Sequence, residues 1–471
     1  MMRHSLFILF FLLLGRMLSA QTDLTLYQLT NVPGSNLLNP GFRAEAHTAI
    51  GLPGLSSFGL QLHNSGFKLI DLIGPDVQDV NLAIQEIAAS MSDVDQIALN
   101  MRPDLMYIGF GVGSGFISMG AGTYTSVQME YPADLLQFLW PGTDDFSDMD
   151  INLSGVNYEV LNATFFHFGY QQNLFREKLS LGVRAKYFYG IQNAYIEDMT
   201  AGVSSNRDEM LAETDILIRT AGMESLTDVE SLPDGNIDDW GAVLFPENTG
   251  LAFDFGFTWS ITDRWELSAS VLNLGSIEYK EDVLEQSSKG TYSFQGVAYD
   301  PSNEALNFDD LTSELDSTFG FVESSGGSYK RKLPREIYAS LTHSFNQRHH
   351  LSATYHMRSW NSNNYHDMGF SYQAKLGRTF HFVAGYNMIN GIWNNISGGF
   401  ALNMGGFQWH LMSDDVYGLI VPGKTSTINI RTGFSFRFGR DRIKDRKYSH
   451  PPILPVPAGD QVEEIRPTDE P

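Results

Sequence analysis

Long segments of this chain alternate apolar and polar residues with a period of two, and that pattern limits the fold more than any other feature. In the last such segment Ile428, Ile430, Phe434, Phe436 and Phe438 share one face, and Asn429, Arg431, Gly433, Ser435 and Arg437 share the other. The same alternation sets Phe380, Phe382 and Tyr386 against His381 and Asn387, and Met368, Phe370 and Tyr372 against Asp367 and Lys375. It also sets Phe253, Phe255 and Phe257 against Asp254, and Leu181, Val183 and Tyr187 against Arg184 and Lys186. Successive side chains of a strand point to opposite faces, so each segment reads as a strand with one apolar face. These segments are longer than the roughly five or six residues typical of soluble sheets. A tilted strand needs about 9–11 residues to cross a bilayer. Alternation alone leaves open a soluble sandwich and a membrane barrel whose polar face lines a lumen.

The connections decide between them. Strands are predicted over 47–63, 104–113, 115–128, 156–171, 178–195, 248–261, 264–278, 335–346, 349–360, 364–376, 379–389, 393–404, 406–413 and 427–438, fourteen in all. Every connection longer than a dozen residues (64–103, 129–155, 196–247, 279–334 and 414–426) is odd-numbered, so all emerge at one end of an up-and-down arrangement. Short turns at one end and long loops at the other mark outer-membrane barrels, with the turns in the periplasm. The expected fold is an all-β, transmembrane, antiparallel β-barrel, with both termini periplasmic and lipid as its surroundings. Residues 47–438 form the barrel, 21–46 a segment at its periplasmic mouth, and 439–471 a Pro-rich tail.

Charge follows the same division. The net charge is −24, and residues 130–150, 191–249 and 300–323 together carry all of it. These stretches lie mainly in the expected extracellular loops, as solvated surface or as a site for cations or partners. The expected periplasmic turns instead carry Arg176, Lys178, Arg348 and Arg378. Helical spacing of Val80, Ala83, Ile84, Ile87, Ala88 and Met91 predicts a helix within 76–101. Pro132 begins a shorter helical turn through Leu139, and 303–316 is helix-permissive.

The amino terminus reads as an export signal over residues 1–20. Arg3 and His4 precede the apolar run Leu6–Leu14, and Leu18-Ser19-Ala20 precedes Gln21. That run is too short to span a bilayer as a helix. The Phe-rich closing strand ends at Phe438, as a lipid-facing strand end or as a terminal signal read by barrel-assembly machinery during insertion. The tail from 448 onward holds six of the 18 prolines and reads as extended and disordered.

Several functions are excluded. With no cysteine, the chain has no disulfides, thiol nucleophile or Cys-ligated metal. Its acidity argues against nucleic acid as a partner. Gly109, Gly111, Gly113, Gly115, Gly120 and Gly122 lack a P-loop lysine and read as small residues around a tight strand turn. No nucleophile elbow is present. His343, His349, His350, His356, His366 and His381 are concentrated in sequence, but adjacent strand residues face opposite ways, so no metal set is read from them. The chain is expected to have no catalytic residues and no cofactor.

Short motifs carry a resemblance. Leu26-Tyr27-Gln28, then Asn36-Leu37-Leu38-Asn39-Pro40-Gly41-Phe42, then Gly51-Leu52-Pro53-Gly54-Leu55 follow the signal. Leu251–Gly256 and Leu267–Gly275 come later. Together they resemble an uncharacterised family of Bacteroidota outer-membrane barrels, similar to the fatty-acid transporter barrels and to the barrel associated with type IX secretion and gliding. The resemblance implies that Asn39 and Pro40, with Gly41 where the relatives usually carry Ala, belong to a segment tucked into the periplasmic mouth. From the residues alone, a rigid turn there serves a plug or any chain entering a barrel.

The expected lumen carries Arg184, Lys186, His356, Arg358, Lys375, Arg431 and Arg437, with Asp254 and Asp367 as counter-charges. They tune solute selectivity in an open channel or brace the wall in a closed one. The expected function is passive or facilitated uptake of a small solute, hydrophobic ones included, gated around Asn39. The alternative is a non-transporting scaffold or secretion-associated barrel that binds partners through its loops or tail.

Overall fold

The computed structural model describes residues 23–43, 46–75, 77–139, 150–206, 209–223, 246–294, 318–361 and 363–440. The export signal, the 303–316 segment and the tail beyond 440 lie outside the described residues.

The wall begins with β1 (Ala46–Gly51) and β2 (Ser57–Asn64), two halves of one strand, followed by β3 (Asp95–Val112) and β4 (Gly115–Tyr131). After β5 (Asp150–Asn152) come β6 (Asn157–Leu174), β7 (Leu179–Ser205), β8 (Met210–Ala221), β9 (Thr249–Ser260) and β10 (Trp265–Tyr279). Then follow β11 (Val283–Phe294), β12 (Val322–Ser325), β13 (Tyr329–Lys332), β14 (Arg335–Ser344), β15 (His349–Trp360) and β16 (Asn363–Leu376). The chain closes with β17 (Phe380–Ile389), β18 (Ile392–Met404), β19 (Phe407–Ser413) and β20 (Thr427–Arg440). Each wall strand pairs antiparallel with its neighbours, and β20 pairs back onto β1 and β2, which closes the sheet. With β1 and β2 counted as one, and β5, β8, β11, β12 and β13 standing outside the main ring, the barrel has fourteen strands.

Its polarity is inverted relative to a soluble protein. Leu181, Val183, Phe253, Phe255, Phe370, Tyr386 and Ile396 are exposed on the outside, while Arg184, Asp254, His356, Asp367 and Arg431 are buried within. A closed barrel with an apolar exterior and polar interior is the outer-membrane solution to satisfying every backbone group in lipid. No described helix is long and apolar enough to cross a membrane.

The two ends differ. At one end the strands are joined by tight turns, such as the one at Gly113 and the one at Gly405, both with positive φ. At the other end stand the long connections, with α3 (Leu69–Ile73), α4 (Val80–Ser90) and α5 (Ala133–Leu139). The helix expected within 76–101 stops at Ser90, and residues 95–101 instead belong to β3. There the burial alternates, with Ala98 and Asn100 inside, and Ser92 N–H donates to Asp95 Oδ2 at 3.0 Å to turn the chain.

The stretches 196–247 and 279–334, expected as loops, also carry strands. β7 runs on past the ring, β8 pairs with its upper half, β11 with β8, and β12 with β11. This upper tier continues the wall at the long-loop end. The face that continues from the lumen side of the wall, where Arg219 stands opposite Tyr195, bears cross-strand ion pairs, Arg219 with Glu197 and Glu285 and Lys289 with Asp215. The opposite face packs Ala201, Met199, Val203 and Ile216 against Leu135 of α5 and Ile151 and Leu153 beside it. Leu217 stands between Asp215 and Arg219 on one face of β8, and such mixing hid the alternation that revealed the wall strands.

Candidate functional site

The interior is occupied by the chain's own amino-terminal segment. Residues 23–43 contribute no strand; they form α1 (Leu24–Gln28), α2 (Ser35–Leu38) and connecting turns. Leu26, Tyr27, Leu29, Val32, Leu38 and Phe42 pack with Leu272, Tyr338, Val383 and Met412 of the wall. Tyr27 stacks on Tyr338 at 4.9 Å.

Polar contacts fasten this segment at three levels. Furthest from the turn end, the Asp23 carboxylate takes two hydrogen bonds from Arg431, at 2.7 and 2.9 Å, and Arg431 also donates to Ser57 Oγ at 2.8 Å. Beside it Asp414 accepts from the backbone N–H of Leu24 and Thr25, at 3.1 and 2.8 Å, and from the Thr25 hydroxyl. In the middle Gln28 donates to Ser340 and Thr354, and Gln373 donates to Gln28 at 2.9 Å. Arg184 donates to the Asn36 carbonyl and side chain, both at 2.6 Å, and to the Leu37 carbonyl at 3.1 Å. Asp254 in turn holds Arg184 at 3.2 Å and Lys186 at 2.9 Å.

Nearest the turns sits the Asn39-Pro40-Gly41 element. Asn39 is extended, as a residue before proline prefers. Its amide donates to Tyr27 at 2.9 Å and to the Phe257 carbonyl at 3.2 Å, and its oxygen accepts from Gly41 N–H at 2.8 Å. Two wall glycines make room: a Cβ at Gly182 would overlap the Pro40 carbonyl, and one at Gly256 the Asn39 side chain. Gly41 is itself close-packed, because a Cβ there would lie 2.7 Å from Phe257 Cα.

Other lumen residues divide as follows. His356 is wedged between Asp367, whose carboxylate is 2.8 Å from Nδ1, and Glu336 at 3.7 Å, and Glu336 also pairs with Arg102. Arg358 lies over the Tyr365 ring at 5.5 Å. Arg437 reaches the Asn31 carbonyl at 3.3 Å, and Lys375 lines a cavity at the turn end. Towards the long-loop end, Glu130 of β4 accepts from Tyr365 and Asn363 of β16, and Glu159 of β6 from Trp360 of β15 and, twice, from Arg331. Those contacts cross the lumen between walls on opposite sides of the ring. The histidines 343, 349 and 366 stand apart from His350, His356 and His381, on partners of their own. Among the described residues no three His, Asp or Glu side chains are placed to hold a metal.

Asp23, Asp414, Arg102, Glu336, Glu130, Glu159 and Arg331 were not singled out by the sequence, and Gln28 and Asn36 entered only as members of the motifs that carry the resemblance. Inward alternation with Tyr338 and Ser340 marks Glu336, but the acids of residues 23 and 414 lie outside any periodic segment.

The ladder of the wall is irregular beside this site. β2 has partners on β20 at six successive positions, but its partners on β3 are Asp104 for Ser57 and Ile97 for Asn64. β3 also shifts register between Asp104 and Met106, after Pro103. Proline has no N–H to give to a ladder.

A family model described as "Family of unknown function (DUF5723)" matches residues 40–414, from the Pro40 of the lumen segment to the Asp414 that holds its start. No curated protein matches the sequence. Among solved structures the chain is similar to the toluene transporter TbuX of Ralstonia pickettii, at 10% identity over 86% of this chain and 94% of that one, with a TM-score of 0.42. It is similar to the toluene transporter TodX of Pseudomonas putida at 9% identity over 85% and 91%, with a TM-score of 0.36. A FadL homologue of Pseudomonas aeruginosa aligns at 10% identity over 86% and 91%, also with a TM-score of 0.36.

Proposed function

This chain belongs to that family of unknown function, DUF5723, and we propose that it is an outer-membrane barrel that passes a small solute and is gated by residues 23–43. One observation carries the reading. The segment filling the lumen is held by side-chain hydrogen bonds, ion pairs and packing, and shares no sheet ladder with the wall. Such a plug leaves without breaking the barrel, since the wall's backbone groups are satisfied among themselves. The interior joins buried charges to an apolar cluster that includes Phe165, Phe188, Ile277 and Tyr279, and the irregular β2–β3 seam offers a lateral way to the lipid for an apolar cargo. In this reading the turn end and both termini face the periplasm, with the upper tier outside the cell.

Liposome swelling with the full barrel and with a form lacking residues 23–43 tests it. Flux raised at least tenfold by the deletion supports a gated channel. No flux in either form sinks it.

The upper tier favours a second reading. A rigid, charge-laced sheet standing above the membrane is a surface for a protein partner, as in a scaffold or a secretion- or gliding-associated barrel. Cross-linking in intact cells distinguishes the two: a specific partner lost on deleting residues 196–221 supports the scaffold, and a barrel that runs alone argues against it.

A further inference from the structure

At the long-loop end the ladder between β18 and β20 is interrupted. β19 stops at Ser413, so residues 392–397 of β18 pair with β17 and not with β19. Residues 427–430 of β20 likewise pair with β2 and not with β19. The space between them is taken by residues 414–426, a panel made of α6 (Val416–Ile420) and a 3₁₀ turn at Pro422–Lys424. α6 is wedged between the two strands. Its Val416 lies 3.2 Å from where a Cβ on Gly398 of β18 would stand, and a Cβ on Gly418 would overlap the Thr427 carbonyl of β20. Helices shorter than about 12–15 residues are marginal alone, so a five-residue helix keeps its shape only through such contacts and its cap.

The panel and the plug meet in two adjacent buried carboxylates. Asp415 is the N-cap of α6, and its Oδ1 accepts from Gly418 N–H at 3.1 Å. Asp414 caps the plug helix α1 instead. Its Oδ2 accepts from Leu24 N–H at 3.1 Å, and its Oδ1 from Thr25 N–H at 2.8 Å and from the Thr25 hydroxyl. The plug helix does not cap itself, because Asp23 at its N-cap position turns its carboxylate to Arg431. The first N–H groups of a helix have no partner within it, so α1 takes its cap from a residue near the far end of the chain. Two amides mark the hinge: Asn429 of β20 accepts from Asp414 N–H and donates to Oδ2 at 3.0 Å, and Asn387 of β17 donates to the Asp414 carbonyl at 3.2 Å.

From this geometry we infer that panel and plug form one coupled gate: displacing residues 414–426 at the long-loop end frees the amino end of the plug, and a seated plug holds the panel shut. Asp414 and Asp415 share a peptide unit. The cap on α6 sets Asp415 at φ −141° and ψ 91°. Swinging the panel about this hinge changes those angles and turns the Asp414 carboxylate away from Leu24 and Thr25. Each closed element therefore stabilises the other, and such a coupling is equal in both directions. The regulatory use of the coupling rests on the reading of residues 23–43 as a gate; the coupling itself does not.

The chain has no cysteine, so the double variant Gly398→Cys with Val416→Cys offers a single intramolecular disulfide that locks the panel. A sulfur in the place of the Val416 methyl is within bonding reach of the new Cβ at 398. Chymotrypsin cleavage within residues 23–30 of the purified full barrel reads the seating of the plug without any flux. Cleavage is expected to be about tenfold slower in the oxidised pair than after reduction, and the reduced pair is expected to match the unaltered protein. Gln28→Ala tests the other direction, since the Gln28 side chain is held by Ser340, Thr354 and Gln373 of β14, β15 and β16, away from the panel. Faster cleavage of the plug is expected there, together with protection factors of residues 416–420 lowered about fivefold in hydrogen exchange. Equal cleavage in the oxidised and reduced pair, or a loosened plug beside an unchanged panel, overturns the inference. Coupled cleavage without flux in liposomes removes the transport reading and leaves the coupling; flux with uncoupled cleavage does the reverse.

Discussion

Gly182 and Gly256 are where the wall and the plug touch backbone to backbone. Alanine at Gly256 is expected to push Asn39 out of its seat, because the added methyl would occupy the place of its side chain. The barrel's own ladder is unaffected there, so the expected outcome is a higher leak in liposome swelling with unchanged heat-modifiable migration on electrophoresis. Arg431→Ala acts from the other end. It leaves the buried Asp23 carboxylate without its two hydrogen bonds, and an uncompensated buried charge costs about 3–5 kcal/mol. Detachment of residues 23–30, read as new protease cleavage in the folded barrel, is the expected result. Neither glycine was legible as a seat. In the sequence each is simply a small residue on the polar face of a strand, and only the approach of Pro40 and Asn39 gives it a reason.

Among the elements, the turn at 175–177 and the connection 414–426 carry testable consequences. Glu177→Gly relieves one left-handed residue, and the usual penalty for an L side chain there is about 1–2 kcal/mol. Thermal unfolding of the barrel is expected to shift upward, with the turn unchanged in shape. The connection 414–426 holds α6 (Val416–Ile420), whose N-cap Asp415 accepts from Gly418 N–H at 3.1 Å. Burial pushes the Asp415 carboxyl up from 3.8 to about 6, with Asp414 adding repulsion. A raised pKa means that the folded loop binds a proton more tightly than the unfolded one. The contribution is therefore fully present below about pH 4 and lost as pH rises through about 6. The protection factors of residues 416–420, exchange rates divided by the intrinsic rate at each pH, are expected to be higher at pH 5 than at pH 7, and Asp415→Asn is expected to abolish the difference. At this scale the sequence was readable wherever one face met lipid, as in β9 and β17. It was not readable in β8 and β11, where the charged Asp215, Arg219 and Lys289 share a face with the apolar Leu217, nor at the start of β3, where a helix-like run leads into the strand.

For the whole molecule, β7 runs from the ring into the upper tier. Outward residues Leu181, Val183 and Tyr187 are apolar, and Glu197 further up is paired with Arg219. Phe253→Arg, on the lipid face near the middle of β9, is expected to cost about 2–4 kcal/mol in a urea titration from liposomes. Thr200→Arg, exposed in the upper tier, is expected to stay within about 0.5 kcal/mol. Equal costs would mean that both tiers share one environment.

Strand number, strand direction, the asymmetry of the two ends and the lumen face of Arg184, Lys186, Asp254, His356, Asp367 and Arg431 are all contained in the sequence. Each follows from a local rule: a period of two on a surface that must be apolar outside, and a count of residues between strands. The tertiary structure alone decided that residues 23–43 stand inside the ring, that Asp23 meets Arg431 and Asn39 meets Gly256, and that Glu130 reaches Tyr365 across the lumen. Those contacts join residues hundreds of positions apart through closure of the sheet, and closure depends on all fourteen strands at once.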